Sequence, residues 1–312
     1  MSTAPVPGLI ESLEGIAVYL VAFGNHHAAG KVREGEWFHP KIANLSRRLR
    51  IVSADVKEGD TNHRAHTIFM HHGHHHMRNV ELRNLGPRGK LGRYPVHFHH
   101  AGHAGHGDGI TGCSIWQDVS EPGSRFVTIH DSQGVEVRGN VGFRSRGHGF
   151  FMEAGNEAGC TVEGNLSVGV TGPEELAVPH SALSGDSHHY WLFEGNTIKG
   201  NVAAGAGGPG VIVLPTATKA DAAIVEGFEG LGCARYGMWS KCEITSYLAC
   251  RACYCTAAGI AMIPTYGVPI SFTQINDPVL FLNGTETTKK DPYKTGIFAT
   301  RCGDVVVKGG QI

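Results

Sequence analysis

The chain has 312 residues, which is long enough for one large domain or two modest ones with a substantial core. Its 27 Lys and Arg residues balance 28 Asp and Glu residues, and the formal net charge is −1. No net field therefore attracts polyanions, and we expect no nucleic-acid partner. The 41% hydrophobic content predicts a folded globular protein.

The N-terminal region contains a short apolar run, residues 16–23, that bears on targeting. A membrane span needs about twenty apolar residues, so we expect no membrane span here. The run follows Glu11 and Glu14 rather than a basic segment, and we therefore expect no signal peptide. The same run is compatible with a helix face or with a buried strand, and the sequence leaves both open.

A short motif recurs along the middle of the chain. Its three clearest copies alternate apolar and polar residues and then turn at Gly-Asn: 135–141, 161–166 and 197–202. The intervals between Asn140, Asn165 and Asn201 fall within the roughly 20–50 residues typical of repeat proteins. We therefore expect the three asparagines to occupy equivalent turns.

Short strands at such intervals predict an all-β fold, a right-handed parallel β-helix with long loops, in which each coil adds one strand to each of several parallel sheets. We predict a single domain over 1–312. The coils are clearest over about 77–215, whereas 1–50 and 240–312 show weaker patterns. The apolar positions of the repeats predict one core of side chains stacked in columns from coil to coil. This core is expected to contain Val135, Val137, Val162, Leu166, Ile198 and Val202.

Histidine is the compositional outlier, with twenty residues in the chain. In the segment 96–99 the strand alternation places His97 and His99 side by side on one face. Two imidazoles on one strand suit Zn²⁺ or a similar ion, whose remaining ligands would come from neighbouring coils. The candidates are His130 and His148 with Glu153, and among them we predict His130 as the metal ligand. The other interpretation is a hydrogen-bonded polar ladder without a metal.

Acidic and basic residues near these histidines suggest hydrolytic chemistry. Glycan cleavage needs carboxylates beside the scissile bond, or a base and a cation where a uronic acid is attacked. We predict catalytic roles for Glu153, His148 and Asp131. We predict substrate contacts from Arg93, Tyr94 and Arg146.

At these residues the sequence resembles the parallel β-helix region shared by cell-migration-inducing hyaluronidases and fibrocystin-like proteins. The segments that carry the resemblance are 91–99, 128–141 and 147–153, extended by 201–205 and 233–239. The resemblance covers roughly residues 30–240. It implies a right-handed parallel β-helix, an extracellular or surface-associated location and a polysaccharide partner; some members depolymerise hyaluronan, and others have no established catalytic role.

Two departures from the family pattern stand out. Residues 43–50 resemble the end of the glycine-rich β domain that normally precedes this region, so we expect that domain to be absent from the sequence. Where many members carry Glu-Asp-Gly, this chain has Glu153-Ala154-Gly155, which removes one carboxylate.

The sequence supports three hypotheses about function. The first is a protein that engages a polysaccharide or other glycan, with a divalent metal (zinc or calcium) assisting depolymerisation. The second is a non-catalytic structural module of a surface, fibre or virion assembly, with protein partners. The third is a glycan-binding module without turnover.

Overall fold

The structure is a computed structural model of the 312-residue chain. It describes residues 8–13, 16–21, 30–33, 36–38, 41–54, 56–57, 59–60, 62–70, 74–118, 121–172, 187–216, 222–264, 269–281, 283–284 and 295–312.

Three parallel sheets of nine strands each wind along the chain from residue 49 to residue 308. Sheet 1 consists of Thr67–Met70, Val96–Gly102, Val127–Ser132, His148–Met152, His188–Phe193, Val211–Leu214, Tyr236–Ser240, Ala258–Met262 and Thr295–Ala299. Sheet 2 consists of His76–Arg78, Gly109–Thr111, Glu136–Arg138, Thr161–Glu163, Thr197–Lys199, Ala223–Glu226, Ile244–Leu248, Ile270–Asn276 and Cys302–Lys308. Sheet 3 consists of Leu49–Val52, Val80–Arg83, Ser114–Trp116, Val141–Arg146, Leu166–Thr171, Val202–Ala206, Glu229–Cys233, Arg251–Cys253 and Val279–Phe281.

Each coil contributes one strand to each sheet, and each strand pairs in parallel with the strands one coil before and after it. In sheet 1, for example, Val96 pairs with Val127, which pairs with Phe150. Parallel crossovers of this kind are right-handed. The predicted right-handed parallel β-helix is confirmed, and its coils extend beyond the region 77–215 on both sides. The prediction of a single domain stays a prediction.

The N-terminal strands are antiparallel instead. Gly8–Leu13, Ile16–Val21 and Lys41–Asn44 form one sheet, and Gly30–Arg33 pairs with Glu36–Phe38. The described part of the apolar run that the sequence left open between helix and strand, Ile16–Val21, is thus a strand. The regular helix in the described part of the chain is one 3₁₀ turn, His103–Gly105, and no helix there is long and apolar enough to cross a membrane.

The segment 41–47, which includes the last of these strands, packs against sheet 3. The Arg47 Nε–H donates a hydrogen bond to the Gly112 carbonyl (2.8 Å), and Lys41 Nζ lies 2.8 Å from a carboxylate oxygen of Glu229. Leu45 is fully buried in an apolar cluster on the outer face of this sheet, where it lies with Phe143 and Val168. The N-terminal region therefore covers apolar surface that an isolated solenoid would expose.

The inner core is built from stacked apolar columns, as predicted. Val135, Val137, Val162 and Ile198 are buried in it. The prediction is wrong for Leu166 and Val202, which lie half-buried against the outer cluster of sheet 3. The reason is strand alternation: because the asparagine that precedes each of them points inward, the next side chain must point outward.

The Gly-Asn turns form a buried ladder of side-chain amides. Asn165 Oδ1 accepts hydrogen bonds from the backbone N–H (2.9 Å) and from Nδ2 (3.0 Å) of Asn140. Asn165 Nδ2 donates to the Val137 carbonyl (2.8 Å) and to Asn201 Oδ1 (3.0 Å). The predicted equivalence of Asn140, Asn165 and Asn201 is confirmed, and the ladder supplies partners that buried polar groups need.

We expect Asn165→Ala to destabilise the fold, because it leaves several groups of the adjacent coils buried without partners, each at a cost of about 1–3 kcal/mol. The expected loss is about 3–5 kcal/mol in the free energy of unfolding measured with urea. Thr197→Ala, at an exposed position of sheet 2, is the matched control and should change it by less than about 0.5 kcal/mol. Equal stabilities of the two variants would contradict a structural role for the ladder.

Candidate active site

The outer face of sheet 1 carries three histidines on two neighbouring strands. His97 and His99 project from Val96–Gly102, and His130 projects from Val127–Ser132. His99 pairs directly with His130 in the register of these strands. Each of the three residues offers a ring nitrogen that lies within 4.8 Å of the nitrogens of the other two. The structure therefore brings together the three residues that the sequence predicts as metal ligands; we call them the histidine cluster.

The protonation of His97 follows from its hydrogen bond. His97 Nδ1 lies 2.9 Å from the Gly92 carbonyl oxygen, which can only accept, so Nδ1 carries the hydrogen. Burial, followed by the charges of neighbouring groups, lowers the pKa of His97 to about 3, so the ring is neutral at physiological pH. Nε2 therefore holds a lone pair, and it is buried with no hydrogen-bond partner among the described residues. A buried lone pair of this kind fits a ligand or proton acceptor.

Glu153 adds a carboxylate beside the cluster. It follows the strand His148–Met152, and its backbone N–H donates to the Ile129 carbonyl (2.9 Å), which places it level with His130. One carboxylate oxygen lies 3.9 Å from His130 Nδ1. Three imidazoles and one carboxylate thus share one patch of the sheet.

Arg125 is a functional candidate that sequence reasoning missed. It is fully buried, and its Nη1 lies 3.3 Å from a Glu153 carboxylate oxygen. The guanidinium carbon lies 4.2 Å from the centroid of the Tyr94 ring and 3.8 Å from that of Phe151. Arg125, which lies between these two aromatic rings, therefore holds the Glu153 carboxylate in place.

A signal for Arg125 is present in the sequence once the coils are aligned. Tyr94 precedes Val96 by two residues, and Arg125 precedes Val127 by two. Because Val96 pairs with Val127, the side chains two residues upstream are neighbours as well. Aligning the residues that precede the two strands would have placed the Arg125 side chain beside the predicted site.

A buried carboxylate orders the turn after Glu153. Glu157 is fully buried and accepts hydrogen bonds from the backbone N–H groups of Asp131 (3.0 Å), Ala154 (2.8 Å) and Gly155 (2.8 Å). This carboxylate lies four residues from Glu153, and sequence reasoning missed it too. It ties the turn of one coil to the strand end of the preceding coil.

Two residues with predicted catalytic roles lie outside the histidine cluster. Asp131 accepts hydrogen bonds from His100 Nδ1 (2.9 Å) and Asn156 Nδ2 (2.5 Å), and these bonds lower the pKa of its carboxyl group. His148 is buried and stacks on Phe151 at 4.7 Å between ring centroids. Burial lowers the pKa of His148 well below its ordinary value.

The three predicted substrate contacts occupy different environments. Arg93 is exposed at the turn before the first histidine strand, and Tyr94 is fully buried beneath Arg125. Arg146 is half-buried at the end of the sheet 3 strand Val141–Arg146, where its carbonyl accepts a hydrogen bond from the Arg125 N–H (3.4 Å). The structure thus places Tyr94 next to the cluster as a supporting ring. The roles of all predicted site residues stay predictions.

The fold and this site define a right-handed parallel β-helix with a histidine and glutamate cluster on one outer face. Residues 62–227, more than half of the chain, match the family model of the CEMIP beta-helix, and the chain belongs to that family.

Curated relatives agree with this assignment. The chain is 35% identical over 99 residues to the human cell surface hyaluronidase CEMIP2, a match that covers 30% of this chain and 7% of the relative. It is 38% identical over 90 residues to the human cell migration-inducing and hyaluronan-binding protein (28% of this chain, 6% of the relative). It is 32% identical over 131 residues to human fibrocystin-L (36% and 3%). The matches span less than a tenth of the length of each of these relatives.

We expect the protein to lose stability in acid, because several histidines are buried in the neutral form. Burial lowers the pKa of His189 to about 3, well below the unfolded value of 6.5. The unfolded chain therefore binds more protons than the folded chain between these values. The contribution of His189 is complete above about pH 6.5 and declines by about 1.4 kcal/mol per pH unit as the pH falls below it.

Urea unfolding at several pH values between 7.5 and 4.5 checks this expectation. His189→Gln should reduce the slope of the free energy of unfolding with pH, whereas His103→Gln, at an exposed histidine, should leave it unchanged. An unchanged slope in the His189 variant would contradict the assignment of a buried neutral ring.

Proposed function

We propose that the protein binds an acidic polysaccharide of the hyaluronan type along the outer face of sheet 1, and that a divalent metal held by the histidine cluster assists its depolymerisation. The observation that carries the proposal is the buried lone pair of His97 Nε2, on a ring whose centroid lies 4.7 Å from that of His99 and 6.1 Å from that of His130. Relatives named as hyaluronidase and hyaluronan-binding protein support the choice of polymer.

The donor set favours zinc over calcium. Zn²⁺ takes imidazole nitrogens at about 2.0–2.1 Å, whereas Ca²⁺ takes six to eight oxygens. Three nitrogens bound tetrahedrally lie about 3.4 Å apart, so a separation of up to 4.8 Å requires a small closure of the rings. The hydrogen bond from His97 Nδ1 to Gly92 already orients one ring, as an outer partner does in metal sites.

Glu153 is the residue that we assign to proton transfer. A metal at the cluster would polarise a sugar oxygen or lower the pKa of a bound water. The Glu153 carboxylate stands beside His130, where it can take or return a proton. Arg125 positions this carboxylate, and Glu153 serves as a proton carrier or a metal ligand but not as both at once.

One observation favours the alternative, a structural module without turnover. Arg125 and Glu153 already form a buried pair, and Arg125 is stacked between Tyr94 and Phe151. A buried ion pair with good packing is sufficient reason to retain both residues. On this alternative the polar ladder fixes the coils, and the outer surface serves assembly with protein partners.

We also propose that the protein acts at the cell surface or outside the cell. This location follows from the chemistry of the proposed substrate and from relatives named as cell surface hyaluronidases.

Metal binding is the first test. We expect the purified chain to bind one Zn²⁺ ion in calorimetric titration, and we expect His97→Ala, His99→Ala and His130→Ala each to weaken binding by about a hundredfold. His103→Ala is the matched control, because this histidine is exposed and lies outside the cluster. Equal zinc affinities of the control and the three variants would overturn the metal site, provided that circular dichroism shows all of them folded.

Turnover is tested at Glu153. We expect Glu153→Gln to retain hyaluronan binding and to lower depolymerisation, followed as the shortening of the polymer on gels, by about 10²–10⁴-fold. Glu163→Gln, on sheet 2, is the control and should behave as the parent. If the parent binds hyaluronan without shortening it, the protein is a binding module. If the parent neither binds nor cleaves the polymer, the structural alternative takes precedence.

A further inference from the structure

A buried lysine lies on the same outer face as the histidine cluster, several coils further along. Lys241 follows the sheet 1 strand Tyr236–Ser240, and its N–H donates to the Val213 carbonyl (3.0 Å), which places it next to Leu214. That strand lies four positions from Val127–Ser132 in the order of sheet 1. At about 4.8 Å per strand, Lys241 is about 19 Å from His130 along the axis.

Lys241 carries a charge that is largely removed from solvent. The residue is 8% exposed, and its Nζ lies 4.5 Å from the centroid of the Trp239 ring. Among the residues that the structure describes, no carboxylate forms an ion pair with it. Lys41 and Lys199, in contrast, pair with Glu229 and Glu226 at 2.8 and 2.9 Å. Burying an unpaired ammonium group costs free energy, which a bound anion would recover.

The surroundings of Lys241 add positive charge and two buried aromatic rings. The Arg235 guanidinium lies 5.7 Å from the Trp239 ring and 5.2 Å from the Tyr236 ring. Trp239 Nε1 donates to the Ile263 carbonyl (3.3 Å), so the indole is fixed in place. Burial and the Arg235 charge lower the pKa of Lys241.

We infer that Lys241 and Trp239 form an anion subsite that takes the carboxylate of a uronate residue of the polysaccharide. The ammonium would donate charge-assisted hydrogen bonds to the carboxylate, and the buried Trp239 ring would hold the ammonium in place. This inference rests on the proposed function and extends it, since a ligand that reaches both Lys241 and the histidine cluster must be a polymer. The subsite binds and does not react.

Calorimetric titration with hyaluronan oligosaccharides tests the subsite in the full chain. We expect Lys241→Met to weaken binding by about tenfold or more, because a charge-assisted hydrogen bond is lost while the aliphatic stem is kept. Lys241→Arg should restore most of the affinity. Lys199→Met is the control, because this exposed lysine pairs with Glu226 on sheet 2, and it should match the parent.

The same titrations with oligosaccharides whose carboxyl groups have been reduced to alcohols identify the recognised group. The parent should bind them about as weakly as Lys241→Met binds the native form, and the variant should show no further loss. If Lys241→Met, folded by circular dichroism, binds native oligosaccharides like the parent, the subsite is wrong while the proposed function stands. If the parent binds no hyaluronan at all, both the proposed function and the subsite are overturned.

Discussion

The in-phase register of the coils is the constraint on which the rest of the structure depends. Because each strand pairs in parallel with its neighbours, every side chain lies directly above its equivalent in the preceding coil. A buried polar side chain therefore finds its hydrogen-bond partner in the equivalent side chain of the next coil. The asparagine ladder shows this inside the molecule: each amide supplies the partner that the amide of the next coil needs.

The same stacking explains how much of the molecule could be predicted from its sequence. The fold and the equivalence of Asn140, Asn165 and Asn201 follow from a local repeat, and strand alternation was enough to place His97 and His99 on one face. Leu166 was misplaced because an apolar residue beside a buried turn looks like core, and no local pattern reveals the N-terminal segment that covers the outer face of sheet 3. The packing of one segment on a sheet that lies far from it in the sequence depends on tertiary contacts, which the periodicity of the sequence does not reveal.

Strand alternation was sufficient to predict only part of the candidate site. Residues on one strand, such as His97 and His99, are related by alternation, but Arg125 reaches the site from a turn. Its contact with Glu153 depends on the path of the chain before the strand begins, and turns vary more than strands do. Glu157 is a similar case, because its three backbone donors come from two different coils.

The electrostatics of the site set conditions on any ligand. Burial keeps His97 neutral, so a metal would not have to displace a proton from this ring. The Arg125 charge, which contributes to the low pKa of His97, also opposes a second cation nearby. Glu153 offsets that repulsion through its pair with Arg125. A divalent ion at the cluster would therefore meet a repulsion from Arg125 that Glu153 offsets only while it keeps this orientation.

The types of side chain on the outer face of sheet 1 change along the axis of the β-helix. Imidazoles and a carboxylate occupy one end, Phe193 and Leu214 follow, and Lys241 lies beyond them. Lys241 offers a single charged group, and ordering a ligand there or at the histidine cluster costs translational and rotational entropy. A polymer incurs most of that cost once and then engages the remaining sites at a high effective concentration. On the proposed function, the geometry would therefore select for chain length, since no single sugar spans the distance between the histidine cluster and Lys241.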